Sequence, residues 1–157
     1  MQNDVILVNI PNDNNKRQLV RNRLYDQQCV TDHCVVCPQG KPGDCSRSGV
    51  IYQIQCMSCG ATYIGETGRC ISVRLKEHLS AKTRMRRTAP LGRHRQENHN
   101  GEDFDVTCRV LAVEPEISAR KALEAFWIST RNPSMNNRNE CLSITNEFLP
   151  FVPLCGL

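Results

Sequence analysis

The sequence has few aromatic residues and no long apolar segment. Phe, Tyr and Trp make up 5% of its 157 residues, whereas 39% are hydrophobic, which predicts a small, mostly aliphatic core in one modest domain with tails. No stretch approaches the roughly 18 apolar residues that cross a bilayer. The first residues also lack the basic region and apolar run of a secretory signal. We therefore expect an intracellular protein that acts in the nucleus.

Cysteine, in contrast, is abundant. Ten cysteines indicate either a secreted disulfide framework or metal ligands in a reducing compartment, and the absence of a secretory signal favours metal ligands. Residues 29–48 form a cysteine-rich segment with His33 as a rival ligand, which is either a zinc knuckle or a loose linker. Its cysteines are Cys29, Cys34, Cys37 and Cys45. We interpret Cys70, Cys108, Cys141 and Cys155 as ordinary packing or surface cysteines.

The positive charge is concentrated in one segment. The net charge is only +4, but residues 69–95 carry many Lys and Arg and few acidic residues. Such a segment is typical of a surface that binds a polyanion, because Lys and Arg neutralise phosphates. A solvated helix face explains the composition equally well at this point.

Apolar periodicity predicts a mixed α/β or α+β domain over residues 49–150. We expect residues 1–28, with a strand at Val5–Ile10 and a helix at Gln18–Gln28, to be the tail of an upstream region, and residues 151–157 to be a C-terminal tail. The predicted elements of the domain are strands at 50–56 and 61–65 joined by a turn at 57–60, a helix from a Thr67 cap to about Ala81, a helix at 91–98, a strand at 104–113 and a helix at 115–130. In the last helix, the residues expected to face inward are Ile117, Leu123, Phe126 and Trp127, and Asn132-Pro133 should end it.

Six ordered landmarks in this domain resemble those of GIY-YIG endonucleases. The first strand contains Val50-Ile-Tyr52 and the second contains Tyr63-Ile-Gly65. The first motif departs from the family at Val50, where the family name has glycine, although Gly49 directly precedes it. The later landmarks are Arg74, His78, Glu124 and Asn136. The resemblance covers about residues 49–149 and implies a three-stranded antiparallel sheet flanked by helices and an enzyme that hydrolyses phosphodiester bonds in DNA.

The residue types fit this chemistry, because the transition state of phosphodiester displacement carries extra negative charge. Arg74 offers a permanently charged donor fork, and Glu124 could hold Mg²⁺ or Mn²⁺. By resemblance, Tyr63 or Tyr52 positions or deprotonates the attacking water, with His78 as another proton acceptor or phosphate contact. Helical spacing places Arg74 and His78 on one face. Asn136 either hydrogen-bonds the catalytic groups or closes the last helix.

A zinc site is expected within the domain. Cys56 and Cys59, in the predicted turn, supply two thiolates, and His94 with His99 supplies two imidazoles, so the closed four-ligand set favours a structural Zn²⁺. A cysteine pair between the tyrosine motifs is similar to the arrangement in the endonuclease domains of Penelope-like retroelements. That resemblance implies a retroelement origin and a reverse transcriptase as a partner domain in a longer parent polyprotein.

Two other functions compete with a nicking DNA endonuclease. A noncatalytic, zinc-stabilised nucleic-acid-binding module would keep the fold without turnover. A RING-like protein-interaction domain would need more regularly spaced ligand pairs than Cys34, Cys37, Cys56 and Cys59 provide. Nothing in the sequence identifies a target site, because no motif marks residues that read bases.

Overall fold

The structure is a computed structural model that describes Cys29, residues 31–137, residue 144 and residues 146–155. Its regular elements are β1 (Val50–Cys56), β2 (Thr62–Thr67), α1 (Ile71–Thr83), α2 (Pro90–His99), β3 (Val106–Val113) and α3 (Ile117–Arg131). Short 3-10 turns lie at Cys37–Gln39 and Asp44–Ser46, and a longer one at Leu149–Cys155. The expected strand and helix in residues 1–28 lie outside the described residues, as does Cys141.

The three strands form one antiparallel sheet in the order β2-β1-β3. This confirms the mixed α/β prediction, including the hairpin whose turn contains Cys59. A β-bulge interrupts the pairing of β1 with β3 between Ile51 and Tyr52. Bulges of this kind re-aim side chains, and here the bulge lies next to one of the two motif tyrosines.

Each face of the sheet is covered by helices. Alternate residues of β1, among them Tyr52 and Ile54, pack with Ile71 and Leu75 of α1 and with Leu91 of α2. The opposite face is a smaller cluster in which Ile51 and Ile64 pack against Trp127 of α3. Within the described part of the chain, no helix has the length and apolar character needed to span a membrane.

Both edges of the sheet are bonded to segments that are not strands. The main-chain N–H of Cys108 in β3 donates to the carbonyl of Val35, which lies in the cysteine-rich segment, at 2.8 Å. On the β2 edge, the N–H of Met135 donates to the carbonyl of Thr62 at 3.0 Å. Val36 is fully buried in the same core as β1, so the cysteine-rich segment packs as part of the domain.

Two expectations about helices are wrong. Thr67 does not cap α1, since it is the last residue of β2 and pairs with Val50, and Cys70 precedes the first helical turn. Ile117 does not face inward, because it begins α3 and is 61% exposed. In contrast, α3 does end before Pro133, at Arg131, with Asn132 in the left-handed conformation.

Candidate functional site

Tyr52 is the buried centre of a hydrogen-bonded group. Its hydroxyl lies 2.8 Å from Nε2 of His78 and accepts a hydrogen bond from Nε of Arg74 at 3.3 Å. The side chain is 0% exposed, and burial, followed by the neighbouring Tyr63, raises the pKa of Tyr52 above its ordinary value. Burial, and then the charge of Arg74, lowers the pKa of His78 to about 4. The neutral imidazole can therefore accept a hydrogen bond from the Tyr52 hydroxyl. The Tyr52 oxygen accepts the bond from Arg74, which has only donors.

Tyr63 lies beside this group but nearer to solvent. Its ring centroid is 5.2 Å from that of His78 and 6.4 Å from that of Tyr52, and the side chain is partly exposed. Gly65 makes room for both tyrosines, because a Cβ at this position would lie 2.8 Å from the Tyr52 hydroxyl and 2.9 Å from a Tyr63 ring carbon. The glycine of the second motif is thus needed for the packing of the site.

Arg74 is held in place by an acidic neighbour one helical turn away. Its Nη1 donates to Glu77 at 2.8 Å, and Arg69 donates to the other oxygen of the same carboxylate at 2.8 Å. Burial opposes the charge of Arg74, but Glu77 and then Tyr52 raise its pKa above the ordinary value. The guanidinium is therefore a fixed positive charge, and its side chain is 35% exposed.

Glu124 is a partly buried carboxylate on α3. Burial, and then the negative charge of Glu66, raises the pKa of Glu124 to about 7, whereas a hydrogen bond from the Glu66 main chain and the charge of Arg74 act in the opposite direction. The carboxylate of Glu66 is itself paired with the buried guanidinium of Arg120. The negative charge of Glu66, which raises this pKa, would also favour a further cation beside the Glu124 carboxylate.

Asn136 hydrogen-bonds the backbone of β2. Its Oδ1 accepts from the Ile64 N–H at 2.8 Å, and its Nδ2 donates to the Ile64 carbonyl at 2.7 Å. These bonds connect the segment after α3 to the residue that follows Tyr63. Two roles were expected for Asn136, but the described contacts show neither a bond to another predicted site side chain nor closure of α3, which Asn132 caps.

The hairpin turn and α2 bring two thiols and two imidazoles together. Cys56 Sγ lies 3.5 Å from His99 Nε2, Cys59 Sγ lies 3.3 Å from His94 Nε2, and the two imidazole nitrogens are 3.1 Å apart. Ligand atoms of a tetrahedral zinc centre are roughly 3.3–3.8 Å apart, as follows from Zn–N and Zn–S bonds of about 2.0–2.3 Å. Burial, and then His99, lowers the pKa of His94, so its imidazole is in the neutral, metal-binding form. The donor set therefore fits zinc.

A second cluster lies in the segment before β1. It contains the four sulfurs of Cys29, Cys34, Cys37 and Cys45, and each lies within 4.8 Å of the others. Burial, and then the neighbouring thiols, raises the pKa of Cys45 to about 12, an effect that a bound divalent cation would reverse. The exposed His33 is not part of this cluster. No disulfide links the described cysteines.

The geometry agrees with a family comparison. A family model described as the GIY-YIG catalytic domain matches residues 48–139, more than half of the chain. The chain belongs to the GIY-YIG family. This family is a nuclease superfamily whose members act on DNA and depend on metal. No curated protein and no solved structure matches the chain.

The GIY-YIG domain brings most of its sequence-predicted site residues together. Tyr52, Arg74 and His78 are joined by hydrogen bonds, Tyr63 contacts them through its ring, and Glu124 responds to the charge of Arg74. Sequence reasoning missed three residues that support them, namely Glu66, Glu77 and Arg120. Of these, only Glu77 has a local signal, because it lies three residues after Arg74 on the same helix.

Proposed function

We propose that this GIY-YIG domain is a divalent-cation-dependent endonuclease that hydrolyses one phosphodiester bond of DNA and leaves a nick. The observation that carries the proposal is the hydrogen-bonded group of the partly exposed Arg74 with the buried Tyr52 and His78, beside which Tyr63 lies and the charge of which acts on the Glu124 carboxylate. A permanent cation beside a histidine of lowered pKa and a carboxylate of raised pKa is an arrangement that catalytic sites commonly show.

Arg74 binds the scissile phosphate in this proposal. Its Nε and Nη1 are occupied by Tyr52 and Glu77, which fix the plane of the guanidinium. The remaining N–H donors can therefore be directed at a nonbridging phosphate oxygen without further ordering. Preorganised donors of this kind stabilise the negative charge that develops in the transition state.

The two tyrosines have different parts. Tyr52 is buried, and its hydroxyl is already bonded to the Arg74 donor and the His78 acceptor. It therefore orients the side chains of Arg74 and His78. Tyr63 is partly exposed and its ring is tilted against that of His78, so its hydroxyl lies nearer than that of Tyr52 to the solvent from which the attacking water comes. We assign the positioning of the nucleophile to Tyr63 and the support of that tyrosine to His78.

Glu124 is the residue that would hold Mg²⁺ or Mn²⁺. One carboxylate together with phosphate oxygens and water is an ordinary ligand set for Mg²⁺, so the residues present fit such an ion. A bound ion would neutralise charge on the phosphate and assist departure of the leaving oxygen. The negative field of Glu66 favours a cation at this position.

We assign Zn²⁺ to the two cysteine clusters as a structural ion. The cluster of Cys56, Cys59, His94 and His99 joins the β1–β2 turn to α2, and the four-cysteine cluster fastens the preceding segment. The cysteine pair between the tyrosine motifs supports a retroelement origin of the Penelope-like kind. A reverse transcriptase in a longer parent polyprotein and action in the nucleus belong to this proposal.

A plasmid nicking assay tests the enzymatic proposal. Supercoiled DNA is incubated with the full chain and Mg²⁺ or Mn²⁺, and the formation of open circles is followed. We expect Arg74→Ala and Glu124→Gln each to reduce nicking by about 10²-fold or more, which is the usual loss when transition-state charge stabilisation is removed. Arg109→Ala and Glu102→Gln are matched controls, because both residues are exposed and neither side chain bonds to Tyr52, Arg74, His78 or Glu124 among the described contacts.

Equal nicking by the wild type and all four variants would contradict the proposal. A wild type that binds DNA without nicking it would instead identify a noncatalytic module.

A further inference from the structure

Most cations of the basic segment have internal partners. In residues 69–95, six Lys or Arg side chains bond to acidic groups, to main-chain carbonyls or to a side-chain amide. These side chains are Arg69, Arg74, Lys82, Arg87, Arg93 and Arg95. They serve the fold or the site, so the composition of the segment overstates the charge that is available to a partner.

Three cations of the segment remain. Lys76, Arg84 and Arg86 are exposed, and their side chains form no hydrogen bond or salt bridge with any residue that the structure describes. All three line one groove along the outer side of α1 and the turn after it, where Val73, 43% exposed, contributes apolar surface. The only acidic lining residue is Glu77, which Arg69 and Arg74 neutralise. The groove is therefore net positive.

The groove adjoins the candidate active site at Glu77. Glu77 lines it and also bonds Arg74, so the groove begins at the residue that holds the catalytic arginine. From Arg74 to Arg84 the helix rises by roughly 15 Å at about 1.5 Å per residue. That length corresponds to roughly four to five base pairs of duplex at about 3.4 Å each.

We propose that the groove lined by Lys76, Arg84 and Arg86 binds the sugar-phosphate backbone of duplex DNA on one side of the scissile phosphate. This inference rests on the proposed nuclease function. It adds the direction in which the bound duplex extends from the active site. Unpaired cations next to a neutralised carboxylate complement a phosphate backbone, and they carry no base-reading geometry. The groove thus increases the affinity for DNA and fixes the position of the duplex relative to the cleavage site.

The test is equilibrium binding of a fluorescent duplex to the full, zinc-loaded chain without added Mg²⁺ or Mn²⁺, so that no DNA is cleaved. Lys76→Gln combined with Arg84→Gln is compared with Lys41→Gln combined with Arg109→Gln, which removes the same charge from exposed positions outside the groove. Affinity is measured from about 50 to 200 mM salt, because each phosphate contact contributes about 0.9 to the slope of log affinity against log salt.

We expect the groove variant to lose about 1.8 from that slope and to bind roughly 10- to 100-fold more weakly at about 0.1 M salt, whereas the control pair stays within about twofold of the wild type. The charge-retaining pair Lys76→Arg and Arg84→Lys should restore the slope, which a folding defect would not allow. Shortening the duplex on one flank should weaken binding of the wild type but not of the groove variant.

The outcomes separate this inference from the nuclease proposal. If the wild type nicks plasmid but the groove variant keeps the wild-type salt slope, the groove inference is overturned and the nuclease proposal stands. If the groove variant loses the slope but the wild type never nicks, the groove is supported as a DNA contact and the nuclease proposal is overturned. Equal weakening by the groove and control pairs would also overturn the groove inference, because it would indicate a diffuse charge effect.

Discussion

Glu124 shows how a single position combines two opposing demands. The proposed metal ligand must be ionised, yet burial and the nearby Glu66 raise the pKa of the Glu124 carboxyl to about 7. The proton and a divalent cation therefore compete for the same oxygens near neutral pH.

This competition predicts a pH-dependent requirement for metal. Below pH 7 the raised pKa keeps Glu124 increasingly protonated, so the Mg²⁺ or Mn²⁺ concentration that gives half-maximal nicking should rise by about tenfold per pH unit, and above pH 7 it should level off. The measurement is a metal titration of plasmid nicking between about pH 5.5 and 8.5. Glu66→Gln removes the neighbouring charge and should move the break to lower pH. A requirement that does not change with pH would count against Glu124 as the ligand.

Site residues could be predicted from the sequence where their spacing along one helix or strand was enough to place them together. Arg74 and His78 are four residues apart on one helix, so sequence alone placed them on a common face, and the structure joins both to Tyr52. The second motif named Gly65 but not its contact with Tyr52, and Arg120 was not predictable, because both contacts connect residues far apart in the sequence. Helical or strand periodicity contains no information about such contacts.

At the scale of elements, the hairpin and the order of strands and helices were predicted correctly, and the junctions were less accurate. Thr67 has a side chain suited to a helix cap, but it pairs with Val50 and extends β2, because β-branched residues also favour strands. The helix then begins at Ile71, and Cys70 provides no side-chain cap. Local preference was ambiguous at Thr67, and the sheet decided the outcome.

The segment after α3 is fastened to β2 through Asn136. Replacing Asn136 with Ala leaves the N–H and carbonyl of Ile64 without their side-chain partner, so the free energy of unfolding should fall by about 1–3 kcal/mol. Urea unfolding measures this change, and nicking should fall as well because Tyr63 precedes the released residue. Ser134→Ala is the control, since that side chain is exposed in the same segment. An unfolding free energy equal to that of the control would show that the contact is dispensable.

The part of the molecule that the structure describes is a three-stranded sheet held between helices, with two clusters of side chains that could bind metal. Its aliphatic core was foreseeable from composition, and the pairing of Cys56 and Cys59 with His94 and His99 followed from their chemistry. The position of the four-cysteine cluster was not foreseeable, because turn-rich sequence does not reveal that Val36 enters the core. The packing of residues 29–48 depends on contacts with distant parts of the sequence, such as the bond between Val35 and Cys108 of β3.

Metal content tests this arrangement. Cys56→Ser with Cys59→Ser, and separately Cys29→Ser with Cys34→Ser, should each reduce bound zinc from two ions per chain to one, because each pair belongs to a different cluster. Zinc is measured by mass spectrometry of the purified chain, and each variant should also melt at a lower temperature because metal binding contributes to folding. Cys70→Ser controls for the loss of a thiol outside both clusters. Unchanged zinc in either double variant would remove that cluster from the proposal.

The bonds at the two sheet edges bear on a hazard common to small β-sheets. An edge strand with free N–H and carbonyl groups can recruit a strand from another molecule and begin aggregation. Here the carbonyl of Val35 accepts the N–H of Cys108 on the β3 edge. On the β2 edge, the N–H of Met135 bonds to the carbonyl of Thr62, and the side chain of Asn136 bonds to the main chain of Ile64. The four-cysteine cluster lies in the segment that bonds to the β3 edge. The ion assigned to it would therefore also hinder strand pairing between molecules, because it would hold this segment against the edge.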